Sequence, residues 1–339
     1  DERFDEVVSR VISSGHIKDW KAREVLDELQ QKPSPAAAPG ATAAGKVILF
    51  GEHAVVYGRH ALALPVADAV RASATPSEGF TSLVIPAWGV AERFDIGNPD
   101  GIGVAIALIL QQLGVRPGNF SFTVESRLPR AMGLGSSAAI AVALTRAIAA
   151  VLHLDIDDER VNAIAFECEK LAHGTPSGVD NTVSTFARPM LFCNDGGLQI
   201  ETLDLVGSPP IVIACSAEAG FTGTEVAGVR ARYERAPARY EALFEEIDHL
   251  SLAGAELLQA GNYEELGLAM NICHGLLNAI GVSTPELERM VALARQAGAA
   301  GAKLTGAGGG GSVVAMCPGN VDDVQNAFAE SGYRTVAIR

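Results

Sequence analysis

The stretch PRAMGLGSSAAIAVAL, Pro129 to Leu144, decides how the chain is read. Gly133, Gly135, Ser136 and Ser137 stand at the mouth of a long run of Ala, Ile, Val and Leu. A helix start needs one capping residue; this one has two serines beside two glycines. Glycines before a helix let the backbone approach a ligand without a Cβ in the way. The first N–H groups of the helix and its dipole then offer a site for an anion such as a phosphate. A tightly packed helix cap is the other reading, and the stretch alone leaves both open.

The surrounding chain narrows the choice. Its 339 residues suffice for two domains and a sizeable core. With 48% hydrophobic and 19% charged residues it is a folded protein rather than a disordered one. A net charge of −14 argues against a nucleic-acid partner and against a polybasic membrane binder. The five cysteines are odd in number and form no C-x-x-C pair, which fits reduced thiols and a cytoplasmic protein. The acidic opening DERFDEVV does not read as a secretory signal, and the apolar run Ala138–Leu154 is cut by Arg146.

Residues 1–40 read as two short amphipathic helices and a Pro/Ala/Gly linker, an appendage to a body that begins at residue 41. In the body, Val47–Phe50 reads as a short buried strand. RASATPS, TSLVIPA and FSFTVES read as further strands, and 100–113, 138–152 and 158–172 as helices. Strands fill 189–213. Helices follow over 224–234, 236–259, 262–280 and 285–297, and the chain closes with strand, glycine loop, strand, helix 321–330 and strand. That order is α+β, with a first domain over 41–207 and a second over 208–339.

Three more stretches carry candidate chemistry. HGTPSGVDN follows a helix ending near Glu169 and places Asp180 in a Gly/Pro turn, where an Asx-turn is the plainer reading. GKVILFGEHAVVYG holds Lys46, Glu52 and His53, and KLTGAGGGGS has five glycines within 306–311. GATAAGK, Gly40 to Lys46, fits the glycine-and-lysine pattern of a P-loop. However, Val47 stands where Ser or Thr is needed, and a strand rather than a helix follows.

Together, in this order, the four stretches resemble the GHMP superfamily, the kinases named for galactose, homoserine, mevalonate and phosphomevalonate. PRAMGLGSSAA resembles its phosphate loop and LTGAGGGG its C-terminal glycine motif, while GKVILFGEHAVVYG and HGTPSGVDN are similar to its mevalonate-phosphorylating branch almost word for word. The resemblance runs from about Gly45 to the C-terminus. It implies a first domain like the second domain of ribosomal protein S5 and a ferredoxin-like second domain. The implied reaction is phosphorylation of the primary hydroxyl of mevalonate, with ATP as co-substrate and Mg²⁺ as cofactor. A homodimer is among its expectations.

Carried over position by position, Asp180 is the acid–base residue and Lys46 its cationic partner. Arg130, Gly133, Leu134, Gly135, Ser136 and Ser137 bind the ATP phosphates, and Ser137 and Glu169 hold the metal. Lys46, Glu52, His53, Asp180, Thr222, Gly306 and Ala307 line the acceptor side. The chain departs from the pattern at three places. Ala44 stands where Pro is usual, Gly223 replaces a basic residue after Thr222, and Ser312 replaces the usual Cys. The decarboxylase of diphosphomevalonate lacks the lysine of the first motif, and Lys46 is present here. A pseudokinase is disfavoured by the retained Lys46, Ser137, Glu169 and Asp180.

Overall fold

The computed structural model describes residues 41–97, 99, 101–115, 119–130, 132–173, 176–216 and 222–338. The helical appendage expected over 1–40 lies outside them. The described chain is α+β and divides into two compact units. Unit one comprises residues up to Gly45, Ala67–Arg130 and Ser136–Phe186; unit two comprises Lys46–Val66, Ala131–Gly135 and Ala187–Arg339. Two strands, β1 (Ala41–Phe50) and β2 (Ala61–Pro76), therefore contribute residues to both.

In unit one, the second half of β2 pairs antiparallel with β5 (Phe120–Ser126), Ala72 opposite Val124. Strand β3 (Thr81–Ile85) runs parallel to β5 and antiparallel to β4 (Val90–Phe94). Helix α1 (Ile102–Gln112), α2 (Ser136–Val151), α3 (Asp158–His173) and α4 (Val179–Phe186) complete the unit. α2 is buried nearly all round, from Ala138 to Ala149, because its residues are small or aliphatic. Arg146 interrupts that run and is matched by fixed acceptors: Nη1 donates to the Thr42 carbonyl at 2.7 Å, and Nη2 to Asp158 at 2.6 Å and the Thr185 carbonyl at 2.8 Å.

In unit two, β8 (Ile211–Cys215), β9 (Gly301–Thr305), β10 (Ser312–Met316) and β11 (Arg334–Ile338) form an antiparallel sheet in the order β11-β8-β10-β9. Numbered along the chain this is the order 4-1-3-2. With helices after the first and third strands, it is the ferredoxin-like arrangement the resemblance implies. Those helices are α5 (Thr222–Arg235), α6 (Pro237–Gln259), α7 (Tyr263–Ala279) and α8 (Pro285–Gln296) after β8, and α9 (Val321–Glu330) after β10. The unit also contains β6 (Met190–Asn194), which pairs with Ala61–Ala63 of β2, and β7 (Leu198–Thr202).

Three local expectations are corrected. The strand read over Val47–Phe50 starts earlier: β1 begins at Ala41, with Ala43 and Ala44 buried. Small residues carry no alternation signal, so pairing with β2 decides the conformation. The same strand contains Ala41–Lys46, which excludes a P-loop there. Asp180 lies in the first turn of α4, not in a turn; the glycines and proline before it hide a helix of eight residues. The first half of β2 and strand β4 are absent from the sequence reading; Pro65 and Asp68 mask the former. Among the described residues no helix is long and apolar enough to cross a membrane, and all five cysteines are buried and free.

Strand β9 and helix α7 meet through glycine. A Cβ on Gly301 would lie 1.8 Å from the Gly267 carbonyl oxygen, a clash of backbone against backbone. Gly275, on the same helix, has nothing within 4 Å of where its Cβ would be. Gly301→Ala should therefore cost about 3 kcal/mol or more in urea unfolding, whereas Gly275→Ala should add about 0.5–1 kcal/mol by relieving helix-interior glycine.

Candidate active site

In unit one, the site is built on the ends of three helices. Gly135 has φ +67°, and the chain passes from it into α2 at Ser136. Ser136 is half-buried, Ser137 is exposed, and Ser137 Oγ donates to Glu169 Oε1 at 2.5 Å. Glu169 is 3% exposed and sits in the C-terminal half of α3, a little before its end. The hydroxyl and the carboxylate, far apart in sequence, therefore form one oxygen pair at the N-terminus of α2. That N-terminus favours anions, and the Glu169 carboxylate stands there.

Asp180 is half-buried on the first turn of α4. That helix is held in place on either side of it. Ser177 Oγ accepts the Val179 N–H at 3.4 Å, Thr182 Oγ1 donates to the Gly178 carbonyl at 2.6 Å, and Asn181 Nδ2 donates to Asn162 Oδ1 of α3 at 2.6 Å. Arg130 is exposed.

In unit two, Lys46 is 5% exposed. Its Nζ donates to the Gly133 carbonyl at 3.4 Å, and its backbone N–H to the Leu134 carbonyl at 2.9 Å. Leu134 is buried. Gly133 has φ +75°, and a Cβ there would lie 3.7 Å from Gly306 Cα, so the two glycine loops meet backbone to backbone. The glycine run that begins at Gly306 is required by space: at Gly308, φ +76°, a Cβ would come within 2.2 Å of the Val282 carbonyl oxygen. Ser312, where the family has Cys, has a use of its own, because its hydroxyl donates to the Met132 carbonyl at 3.0 Å.

His53 has φ 63°, a left-handed conformation rarely adopted by side-chain-bearing residues. Its Nε2 lies 2.8 Å from the Ala307 carbonyl oxygen. A carbonyl only accepts, so Nε2 carries the proton and Nδ1 the lone pair. Burial lowers the imidazole pKa from its ordinary value, partly offset by the bond to Ala307. Glu52, its neighbour, is 2% exposed and is bonded by Lys303 Nζ; burial pushes its carboxyl up while the ammonium opposes that. Lys303 is a residue the sequence does not single out, because it reads there as an ordinary lysine before a glycine loop. Of Thr222, the first residue of α5, only the backbone is described.

Comparison with known proteins follows this geometry. Residues 101–188 match the N-terminal domain of the GHMP kinases and residues 255–334 their C-terminal domain. The mevalonate kinase of Pyrococcus abyssi is 37% identical over 321 residues, covering 88% of this chain and 94% of its own length. That of Methanothermobacter thermautotrophicus is 38% identical over 293 residues, covering 85% and 93%. The chain belongs to the mevalonate kinases. The crystal structure of L. major mevalonate kinase in complex with R-mevalonate superposes with a TM-score of 0.77 at 28% identity, over 91% of this chain and 98% of that one. The Methanococcus jannaschii enzyme, at 24% identity and a TM-score of 0.79, shares the fold.

The His53 geometry has a thermodynamic consequence. Its folded pKa lies below the unfolded value of about 6.5, so the unfolded chain takes up the proton first. The stability contributed by the neutral ring is complete above about pH 6.5 and is lost as pH falls through the lower folded pKa. Urea midpoints at about pH 7.5 and about pH 5.5 should differ more for the wild type than for His53→Asn; equal differences would remove His53 as a source of the pH dependence.

Proposed function

We propose that the chain transfers the γ-phosphoryl group of ATP to the primary hydroxyl of mevalonate, giving 5-phosphomevalonate and ADP. Membership of the mevalonate kinases, over 94% of the length of a 37%-identical relative, carries this reading. The residues support it. Phosphoryl transfer depends on positioning and charge neutralisation more than on covalent help.

Each candidate residue has a role suited to its chemistry. The N–H groups at the start of α2, with Ser136 and Ser137, bind ATP phosphate oxygens, and Gly133, Leu134 and Gly135 shape the loop before them. Arg130, exposed beside that loop in sequence, adds positive charge. Asp180 accepts the proton of the acceptor hydroxyl, and Lys46 favours the resulting alkoxide electrostatically. Glu52, His53, Thr222, Gly306 and Ala307 belong to the acceptor side.

The donor set fits Mg²⁺. Ser137 Oγ and Glu169 Oε1 are already 2.5 Å apart and offer oxygen alone, the ligand type this ion takes. Among the described residues no cluster of three or more His, Cys, Asp or Glu could hold a metal, so waters and phosphate oxygens would complete the shell. Bound there, Mg²⁺ would neutralise phosphate charge.

One assay tests the reading. ADP release is measured with mevalonate, phosphomevalonate and homoserine as acceptors, on the wild type and on Asp180→Asn. Mevalonate should be the preferred acceptor, and the variant should lose about 10²–10⁴ in kcat, the usual worth of an acid–base group, while still binding ADP. Preference for another acceptor contradicts the substrate. A variant that keeps a tenth of the activity contradicts the base.

A further inference from the structure

Lys303 is wholly buried in β9, yet it carries a charge that needs a partner there. Its Nζ donates to Glu52 Oε1 and, at 2.6 Å, to the Leu304 carbonyl. The nearby Cys273 thiol is pushed by burial to about 12, so it stays neutral and supplies no competing charge. Around this pair the same strand and the loop after it make two further ties. Thr305 Oγ1 donates to the Ile48 carbonyl at 2.9 Å and accepts the Ile48 N–H at 3.2 Å. Ala307 receives the His53 ring. Residues 303 and 305 share one face of β9, as strand period dictates, and so β9 and the loop after it hold Ile48, Glu52 and His53 together.

Glu52 Oε2 is buried with no hydrogen-bond partner, so the carboxyl is anchored through Oε1 alone. His53, the next residue, stands at φ 63°, a strained conformation that persists only where its surroundings over-determine it. One anchor is the Ala307 carbonyl; the other is Glu52.

We propose that Lys303 is a positioning residue for acceptor binding: from inside β9 it fixes Glu52, and through Glu52 the strained His53 turn, in the conformation that meets mevalonate. The inference rests on the reading of Glu52 and His53 as acceptor-side residues. Lys303 does not touch the acceptor; it acts through its neighbour.

The test compares wild type, Lys303→Met, Glu52→Gln, the double variant Lys303→Met with Glu52→Gln, and His53→Asn. KM for mevalonate, KM for ATP, kcat and Tm are measured for each. Lys303→Met should raise the mevalonate KM tenfold or more, leave the ATP KM within about twofold, and lower Tm by stranding Glu52. The double variant removes the stranded carboxylate, so its Tm should recover. Because Glu52 is itself on the acceptor side, the double variant is read against Glu52→Gln alone: if Lys303 acts through Glu52, adding Lys303→Met there should move the mevalonate KM by less than about twofold. A further tenfold rise in that background overturns the proposal, as does an equal rise in both KM values on Lys303→Met. Should Lys303→Met fail to fold, the comparison of the double variant with Glu52→Gln decides by the same outcomes. If His53→Asn raises the mevalonate KM and the Lys303 variants do not, the Lys303 inference falls and the acceptor-side reading stands. If none of them moves it, both fall.

Discussion

Thr305 bonds both peptide groups of Ile48 through a single hydroxyl, and the residues proposed for the acceptor side depend on that tie. Ile48 lies in β1 two residues after Lys46, and Thr305 ends β9 one residue before Gly306. Buried backbone groups must be paired, so this hydroxyl stands where a ladder bond would otherwise be needed. With it in place, Lys303 reaches Glu52, the Ala307 carbonyl receives His53, and Gly306 lies against Gly133. Lys46 is tied to Gly133 and Leu134 by two bonds. Motifs far apart in the chain thus contribute to connected local structure because β9 and the loop after it supply their partners.

The two units contribute different chemistry. Unit one carries a hydroxyl–carboxylate pair and a second carboxylate on helices: Ser137 with Glu169, and Asp180 on the first turn of α4. Unit two supplies a buried ammonium, a neutral imidazole and glycine loops. One of the divisions between them falls at the peptide bond from Gly135 to Ser136, so residues of the glycine–serine motif belong to both. That fits a motif whose glycines shape a loop and whose serines start a helix. Its excess of small residues, beyond any capping need, follows from serving both ends.

Much of this is legible in the sequence, and the exceptions have physical causes. The glycine and serine motifs are legible because close backbone approach and oxygen donors need those residue types. The helices from α6 onward are legible because their apolar periodicity is strong; 321–330 matches α9 to the residue. Helix α4 is not, because it is short and opens directly after Gly and Pro, whose punctuation outweighs eight residues of pattern. The start of β1 is not, because Ala, Thr and Gly carry no period. Lys303 escapes the sequence for a different reason. A lysine in a strand normally reaches solvent, and nothing local marks one that is paired with a carboxylate 251 residues away. Only the register of β9 in the folded unit brings it to Glu52.

The tie between Thr305 and Ile48 can be measured at the amide itself. Hydrogen exchange at Ile48 is followed by NMR in the wild type and in Thr305→Val, which keeps the shape and removes the hydroxyl. The account predicts that exchange at Ile48 and across Lys46–His53 quickens tenfold or more, while Val314 in β10 keeps its protection, a local opening rather than a global one. Unchanged protection at Ile48 would contradict it, because β1 would then be held without β9.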